Sequence, residues 1–189
     1  LALADSQKVQ KTRAKRNNRP VMYDLEDVNE TLKHVSGKEY NKWYSVDENT
    51  RFMLLGNGHL MGAAMIVLQI HDEDGYELNL LFTGDYAPDN LFYQVPDIPE
   101  EILSLPLTVV TESTYGGTDT TDEAEQVFEY NVSEAAKKKK LILIPAFSLG
   151  RVQEVMYVLR CMQENGLLGK DIPIFLDGHL AIEYTRLFK

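Results

Sequence analysis

Three residues, His59, Asp85 and Glu112, stand where an apolar run gives way to a loop. Gly56-Asn57-Gly58-His59-Leu60-Met61-Gly62 sets a histidine in a glycine-rich turn between two strand-like runs. The backbone can bend tightly there, and the imidazole can point off a sheet edge. Leu80-Leu81-Phe82 runs into Thr83-Gly84-Asp85-Tyr86, and Val109-Val110-Thr111 delivers Glu112 to Ser113-Thr114-Tyr115-Gly116. Each residue alone also fits a bland role, a satisfied loop histidine or an acid favoured by turn geometry. Strand ends are where α/β proteins assemble their sites. A His, an Asp and a Glu at three successive strand ends make a metal or acid–base constellation more naturally than three independent turns.

The elements that must position these residues follow from periodicity. Leu25, Val28 and Leu32, at spacings of three and four, predict a short amphipathic helix over Asp24–His34, preceded by a basic loop. Strands are predicted over Arg51–Leu55, Ala63–Ile70 and Leu78–Phe82, with Asp74-Gly75 as the turn between the last two. Beyond Leu107 the pattern alternates. A strand (Leu107–Thr111) leads to a helix (about Thr121–Lys137), a strand (Leu141–Pro145), a helix (about Gly150–Asn165), a strand (Ile172–Leu176) and a last helical run. Strands alternating with long helices imply a parallel sheet. Thr120 with Glu123 resembles a capping box, while Asp119, Asp122, Glu123 and Glu125 crowd one end of that helix and Lys137 to Lys140 the other. The stretch Pro88 to Pro106 reads as the connection between a β-rich first part and an α/β second part, with the boundary near residue 112.

Composition narrows the classes. Hydrophobic residues are 44% and charged residues 25% of the 189, as in folded globular chains and unlike disordered or collagen-like ones. A formal net charge of −10 argues against gripping nucleic acid by bulk electrostatics, so any such contact must be local. The local exceptions are Lys8, Lys11, Arg13, Lys15, Arg16 and Arg19, opposed there by Asp5, and the run Lys137 to Lys140. The single cysteine, Cys161, cannot form an internal disulfide and fits an intracellular location, cytoplasmic or, in a eukaryote, nuclear. The longest uncharged apolar stretch, around Leu60 to Leu68, is well short of the ~20 residues a membrane helix needs, so no membrane partner is expected. Walker and dinucleotide fingerprints are absent.

Taken in order, the motifs resemble those of metallo-β-lactamase fold nucleases carrying a β-CASP insertion, the group that contains the cleavage-and-polyadenylation endonuclease. Gly58-His59-x-x-Gly62-Ala63-Ala64 is similar to the family's third metal motif and Thr83-Gly84-Asp85-Tyr86 to its fourth. Glu112-Ser113-Thr114-Tyr115-Gly116 resembles the first β-CASP motif. Ile144 to Gly150, followed by Arg151-x-Gln153-Glu154, resembles the strand–turn–helix after it. The resemblance implies an α/β chain: part of a metallo-β-lactamase αββα sandwich over residues 1–112, then the start of a β-CASP domain with a parallel sheet over 113–189.

The resemblance also implies chemistry. Two zinc ions are expected, His59 ligating one and Asp85 bridging both. Such a pair brings the pKa of a bound water near neutrality and offsets charge developing on the phosphate. Asp85 and Glu112 are the implied catalytic residues. Glu112 would not ligate metal but orient a histidine from a later motif that protonates the leaving oxygen, and glutamate at this place goes with RNA substrates. Single-stranded RNA is the expected partner, with a homodimer or a processing complex as further assembly.

Two departures bear on this. The His-x-His-x-Asp-His motif is absent, and the later histidine motifs would lie beyond Lys189. The chain begins with Leu1 and ends inside a helical run, so an internal fragment is expected, catalytically dead alone because a zinc usually takes three protein ligands. Leu176-Asp177-Gly178-His179 departs from the usual Ser-Pro, and His179 could contact phosphate or serve as a cap. Arg151 could reach a phosphate or pair with Glu154. His34 and His71 read as surface residues. Trp43, Tyr44, Phe92 and Tyr93 could stack bases, whereas Phe147 reads as core. The leading expectation is zinc-dependent hydrolysis of RNA phosphodiester bonds. A non-catalytic partner subunit of an RNA-processing complex is the alternative. A small-molecule hydrolase on the same scaffold is disfavoured by the strand–helix alternation after Glu112.

Overall fold

The computed structural model describes residues 1–118 and 123–188 and divides into two compact units, 1–39 and 40–189. The first unit holds α1 (Ala2–Arg16) and α2 (Leu25–Lys33). A loop was expected before α2, but that segment is helical. Its Ala, Leu, Lys, Arg and Gln residues favour helix without any strong apolar stripe, so periodicity gave no signal. Asp5 in the first turn and Arg13, Lys15 and Arg16 in the last complement the helix dipole. Gln10 fastens α1 to the next segment, donating to the Tyr23 carbonyl and accepting from Met22 N–H at 3.2 Å. α2 opens on a capping box. The Asp24 carboxylate accepts the N–H groups of Glu26 and Asp27 at 2.8 and 3.1 Å, and Asp27 accepts that of Asp24 at 2.8 Å.

The second unit is built on a five-stranded sheet in the order β1 (Trp43–Ser45), β2 (Thr50–Gly56), β3 (Ala64–His71), β4 (Glu77–Phe82) and β5 (Leu107–Val110). The first four strands form an antiparallel meander, and β5 joins parallel to β4 after a connection containing α3 (Glu100–Leu103). The sheet is therefore mixed, with parallel pairing as expected of an α/β fold. Alternation buries Met53, Leu55, Val67 and Leu81 on one face, where Ile102 of α3 packs fully buried against them. Farther along that face the lining turns polar. Gln69 Nε2 donates to Asn79 Oδ1 at 2.8 Å and to Glu77 Oε1 at 2.9 Å, and Arg51 Nε donates to Gln69 Oε1 at 2.5 Å while stacking over Trp43. The β3–β4 turn is the expected one. Gly75 takes φ 81°, and Asp72 Oδ1 accepts the N–H groups of Asp74 and Tyr76 at 3.0 and 2.7 Å.

Register at the other end of the sheet sets up the site. Pairing of Leu55 with Met65 and Gly56 with Ala64 leaves residues 57–63 as the turn between β2 and β3. Pairing of Phe82 with Val110 brings the ends of β4 and β5 to the same edge, because parallel strands deliver their C-termini together.

A second apolar cluster joins α4 (Ala124–Lys137) to α5 (Arg151–Glu164) through Val132, Leu159, Met162 and Leu168. Ile142, Ile144 and Ile172 pack on it as well. Here two expectations are corrected. Segments 141–145 and 172–176 form no strand among the described residues. One side of the first segment packs against the helices while Leu141 and Leu143 on the other are 86% and 81% exposed. Burial alternates along 141–145 as in a strand, but a strand needs a ladder partner, which no local pattern supplies. Phe147, expected in the core, is exposed, because it stands beside the turn at 148–150 and not in either apolar cluster. Lys137 and Lys138 pair with Glu134 at 3.0 and 3.4 Å, in keeping with a helix-end lysine run. The capping box read at Thr120, with Asp119 and Asp122, lies outside the described residues. α6 (His179–Thr185) and a 3-10 turn (Arg186–Phe188) complete the described chain. No described helix is long and apolar enough to cross a membrane.

Candidate functional site

His59, Asp85 and Glu112 leave the same edge of the sheet, from the β2–β3 turn and from the loops after β4 and β5. His59 Nε2 and Asp85 Oδ2 stand 4.0 Å apart, with side chains 43% and 73% exposed. The turn that carries His59 is sterically specified. Gly58 adopts φ +75°, and a Cβ there would meet the Ala87 carbonyl oxygen at 2.0 Å, so the turn lies flush against the loop that carries Asp85.

Several side chains hold the edge together. Asn57, 3% exposed, donates from Nδ2 to the carbonyls of Thr83 and Asp85 at 3.1 and 2.9 Å and accepts His59 N–H on Oδ1 at 3.1 Å. Asn90 donates to the Gly58 carbonyl and the Tyr93 hydroxyl to the Leu60 carbonyl, each at 2.8 Å. The buried Thr83 hydroxyl donates to the Gly84 carbonyl at 2.8 Å and accepts Glu112 N–H at 3.4 Å. Neither Asn57 nor Asn90 stood out as a site residue in the sequence, and Tyr93 was read as a base-stacking aromatic, not as a support for the His59 turn. The one available signal was an asparagine held between Gly56 and Gly58 in a turn.

Glu112 is held below the usual carboxylate range. The Thr114 side chain and N–H are the main causes, with Tyr86 N–H and the field of His59 adding to them. Thr114 N–H lies 2.7 Å from Glu112 Oε2. A carboxylate stabilised in this way stays ionised at neutral pH and serves as an acceptor, not as a proton donor.

Arg151 opens α5 and donates to Glu154 at 2.6 Å. Gly150, just before it, has φ +80°, and the space its Cβ would need is taken by Leu60 at 2.4 Å. The start of α5 therefore abuts the His59 turn, and Phe92 reinforces the junction edge-on against Tyr157 at 5.9 Å. A cleft of about 420 Å³ opens between Asp89, Phe128, Arg151 and Glu154. His179 lies exposed at the first position of α6 and is not drawn into the His59, Asp85 and Glu112 group. The aromatics singled out for stacking are engaged internally: Trp43 under Arg51, Tyr44 against Phe52 at 5.6 Å, Phe92 against Tyr157, and Tyr93 on the Leu60 carbonyl. His71 pairs with Glu77 at 3.2 Å, at the far end of the sheet.

A zinc ion binds imidazole nitrogen at about 2.0–2.1 Å and carboxylate oxygen at about 2.0–2.2 Å, so the 4.0 Å separation of His59 and Asp85 is within reach of one shared ion. Their nitrogen and oxygen donors suit zinc. Among the described residues no group of three or more His, Cys, Asp or Glu could hold a metal ion.

No protein-family model matches the chain. Among curated proteins it is 31% identical over 168 residues to the transcription termination factor FttA of Pyrococcus abyssi, covering 86% of this chain and 24% of that protein. With FttA of Methanothermobacter thermautotrophicus the identity is 28% over 178 residues, covering 87% and 26%. With an RNase J-like protein of Methanocaldococcus jannaschii it is 29% over 166 residues, covering 84% and 37%. The chain thus spans about a quarter of the length of the FttA relatives and somewhat over a third of the RNase J-like protein.

Proposed function

Since the chain belongs to the β-CASP family of the metallo-β-lactamase fold, we propose that the protein hydrolyses RNA phosphodiester bonds with the help of a zinc pair. The observation that carries this reading is the approach of His59 and Asp85 to 4.0 Å at a sheet edge that also presents an ionised Glu112. The relatives' names, transcription termination factor and RNase J-like protein, support RNA as the substrate class.

In this reading His59 and Asp85 would hold the metal. When bound, such a pair acidifies water to near-neutral pKa and offsets charge that develops on the phosphate. Glu112, whose carboxylate is held by the Thr114 N–H, would accept a hydrogen bond from an imidazole donor, fixing its orientation and favouring its protonated form. Arg151 is the proposed phosphate contact. Its ion pair with Glu154 is solvent-exposed on the arginine side, and such pairs are worth about 0–1 kcal/mol, little enough for a phosphate oxygen to compete. His179 is a further proposed phosphate contact.

The test is zinc content after extensive dialysis, together with cleavage of single-stranded RNA with and without chelator, on the full-length protein. Two zinc ions, chelator-sensitive cleavage, and loss of both on Asp85→Ala are expected. A full-length protein that takes up no zinc and leaves RNA intact would overturn the reading in favour of a non-catalytic subunit of an RNA-processing complex.

A further inference from the structure

We propose that Asn57 is a positioning residue that sets the separation of His59 and Asp85, an inference that rests on reading those two as metal ligands. Asn57 follows the last residue of β2 and is 3% exposed, so its amide cannot turn to water for partners. Both amide hydrogens go to the Asp85 loop, at the carbonyls of Thr83 and of Asp85 itself, and the amide oxygen takes the N–H of His59. The Asn57 main chain repeats the connection, its carbonyl accepting Ala87 N–H at 2.9 Å. A single side chain thereby grips the backbone of both ligand residues, which are 26 positions apart in sequence.

The chemistry required is specific to a short primary amide. Two donors and one acceptor are used, and they diverge from one planar group. Aspartate would present oxygen to two carbonyl oxygens. Serine has a single donor, and glutamine would push the same amide one methylene farther into a turn where Gly58 already lies against Ala87. A buried asparagine serving stability alone could bond any nearby backbone group. This one bonds the two residues whose relative position determines whether one ion can reach both. Asn90 and Tyr93, in contrast, bond Gly58 and Leu60 and so steady the His59 turn without bonding Asp85.

The experiment uses the full-length protein loaded with Co²⁺ in place of zinc, because the visible absorption of cobalt reports coordination geometry. Metal affinity, the cobalt spectrum and the melting temperature are compared for wild type, Asn57→Ala, Asn57→Ser and Val67→Ala. Val67, fully buried in the sheet core, serves as a destabilising control remote from the turn. Removing a group that orients metal ligands typically weakens metal binding about 10–100-fold. Both Asn57 variants are expected to fall in that range and to shift the cobalt spectrum, while Val67→Ala melts earlier with affinity and spectrum unchanged. Should Asn57→Ala not fold, Asn57→Ser, which keeps a small polar group in the turn, decides the matter. Wild-type affinity and spectrum in a folded Asn57 variant would overturn the positioning role. No cobalt spectrum in wild type would overturn the ligand reading itself, and with it this proposal, a result visible before any variant is made.

Discussion

Thr83 and Thr111 bring their side-chain hydroxyls to 3.3 Å across the ends of β4 and β5. Thr83 N–H also donates to the Val110 carbonyl at 3.0 Å, extending the parallel pairing one step beyond the ladder. The loops that begin there carry Asp85 and Glu112, so this contact and the Asn57 amide together link three loops in series: His59 to Asp85 through Asn57, and Asp85 to Glu112 through Thr83.

Replacing Thr83 by valine keeps the shape and removes the hydroxyl. Glu112 N–H and the Gly84 carbonyl each lose a part-buried partner. A loss of about 1–2 kcal/mol in urea unfolding is expected, with RNA cleavage by the full-length protein reduced beyond what that instability accounts for. Unchanged stability would show that water replaces the hydroxyl.

Gly58→Ala forces a side chain into a left-handed conformation and against the Ala87 carbonyl. The conformational strain is about 1–2 kcal/mol and the overpacking about 1–3 kcal/mol, so a fall of at least about 2 kcal/mol in unfolding free energy is expected. Metal binding should weaken in parallel because the turn that carries His59 must move.

Glu112 gives a pH signature. Its folded pKa is depressed below the ordinary 4.5, so the stability it contributes is present above that value and is lost as pH falls through the folded pKa. Carboxyl-carbon NMR should show Glu112 titrating below 4.5, and Thr114→Ala should return it toward 4.5. A Glu112 resonance that already titrates at or above 4.5 in wild type would contradict the hydrogen-bonded arrangement.

Ile102 of α3 is fully buried against the sheet. Ile102→Ala should lower stability by about 2–5 kcal/mol through lost burial and the cavity left behind, read as an earlier urea midpoint at unchanged slope. Because α3 lies in the connection between β4 and β5, a larger loss would indicate that β5 detaches.

Local patterns in the chain were sufficient for much of the fold. The apolar runs Arg51–Leu55, Ala63–Ile70 and Leu78–Phe82, separated by turn residues, match β2, β3 and β4 to within a residue or two, because run length and bounding turns are local properties of the segment. Three- and four-residue spacing similarly matches α2, and the helix read over about Gly150–Asn165 matches α5. α1 escaped notice because helix-favouring residues without an apolar stripe leave no period to read. Segments 141–145 and 172–176 carry the strand pattern without a strand, since a ladder is made with a partner and not within a segment.

The site divides along the same line. That a histidine, an aspartate and a glutamate each follow an apolar run is a property of the sequence, legible because strand ends and turns have local chemical signatures. That these three ends share one edge was decided by the pairing of β2 with β3 and of β4 with β5. The work of Asn57 was decided there too. Its amide meets Thr83 and Asp85 only when register brings together residues 26 and 28 positions apart, and hydrogen bonds over that span leave no mark on the local pattern of either segment.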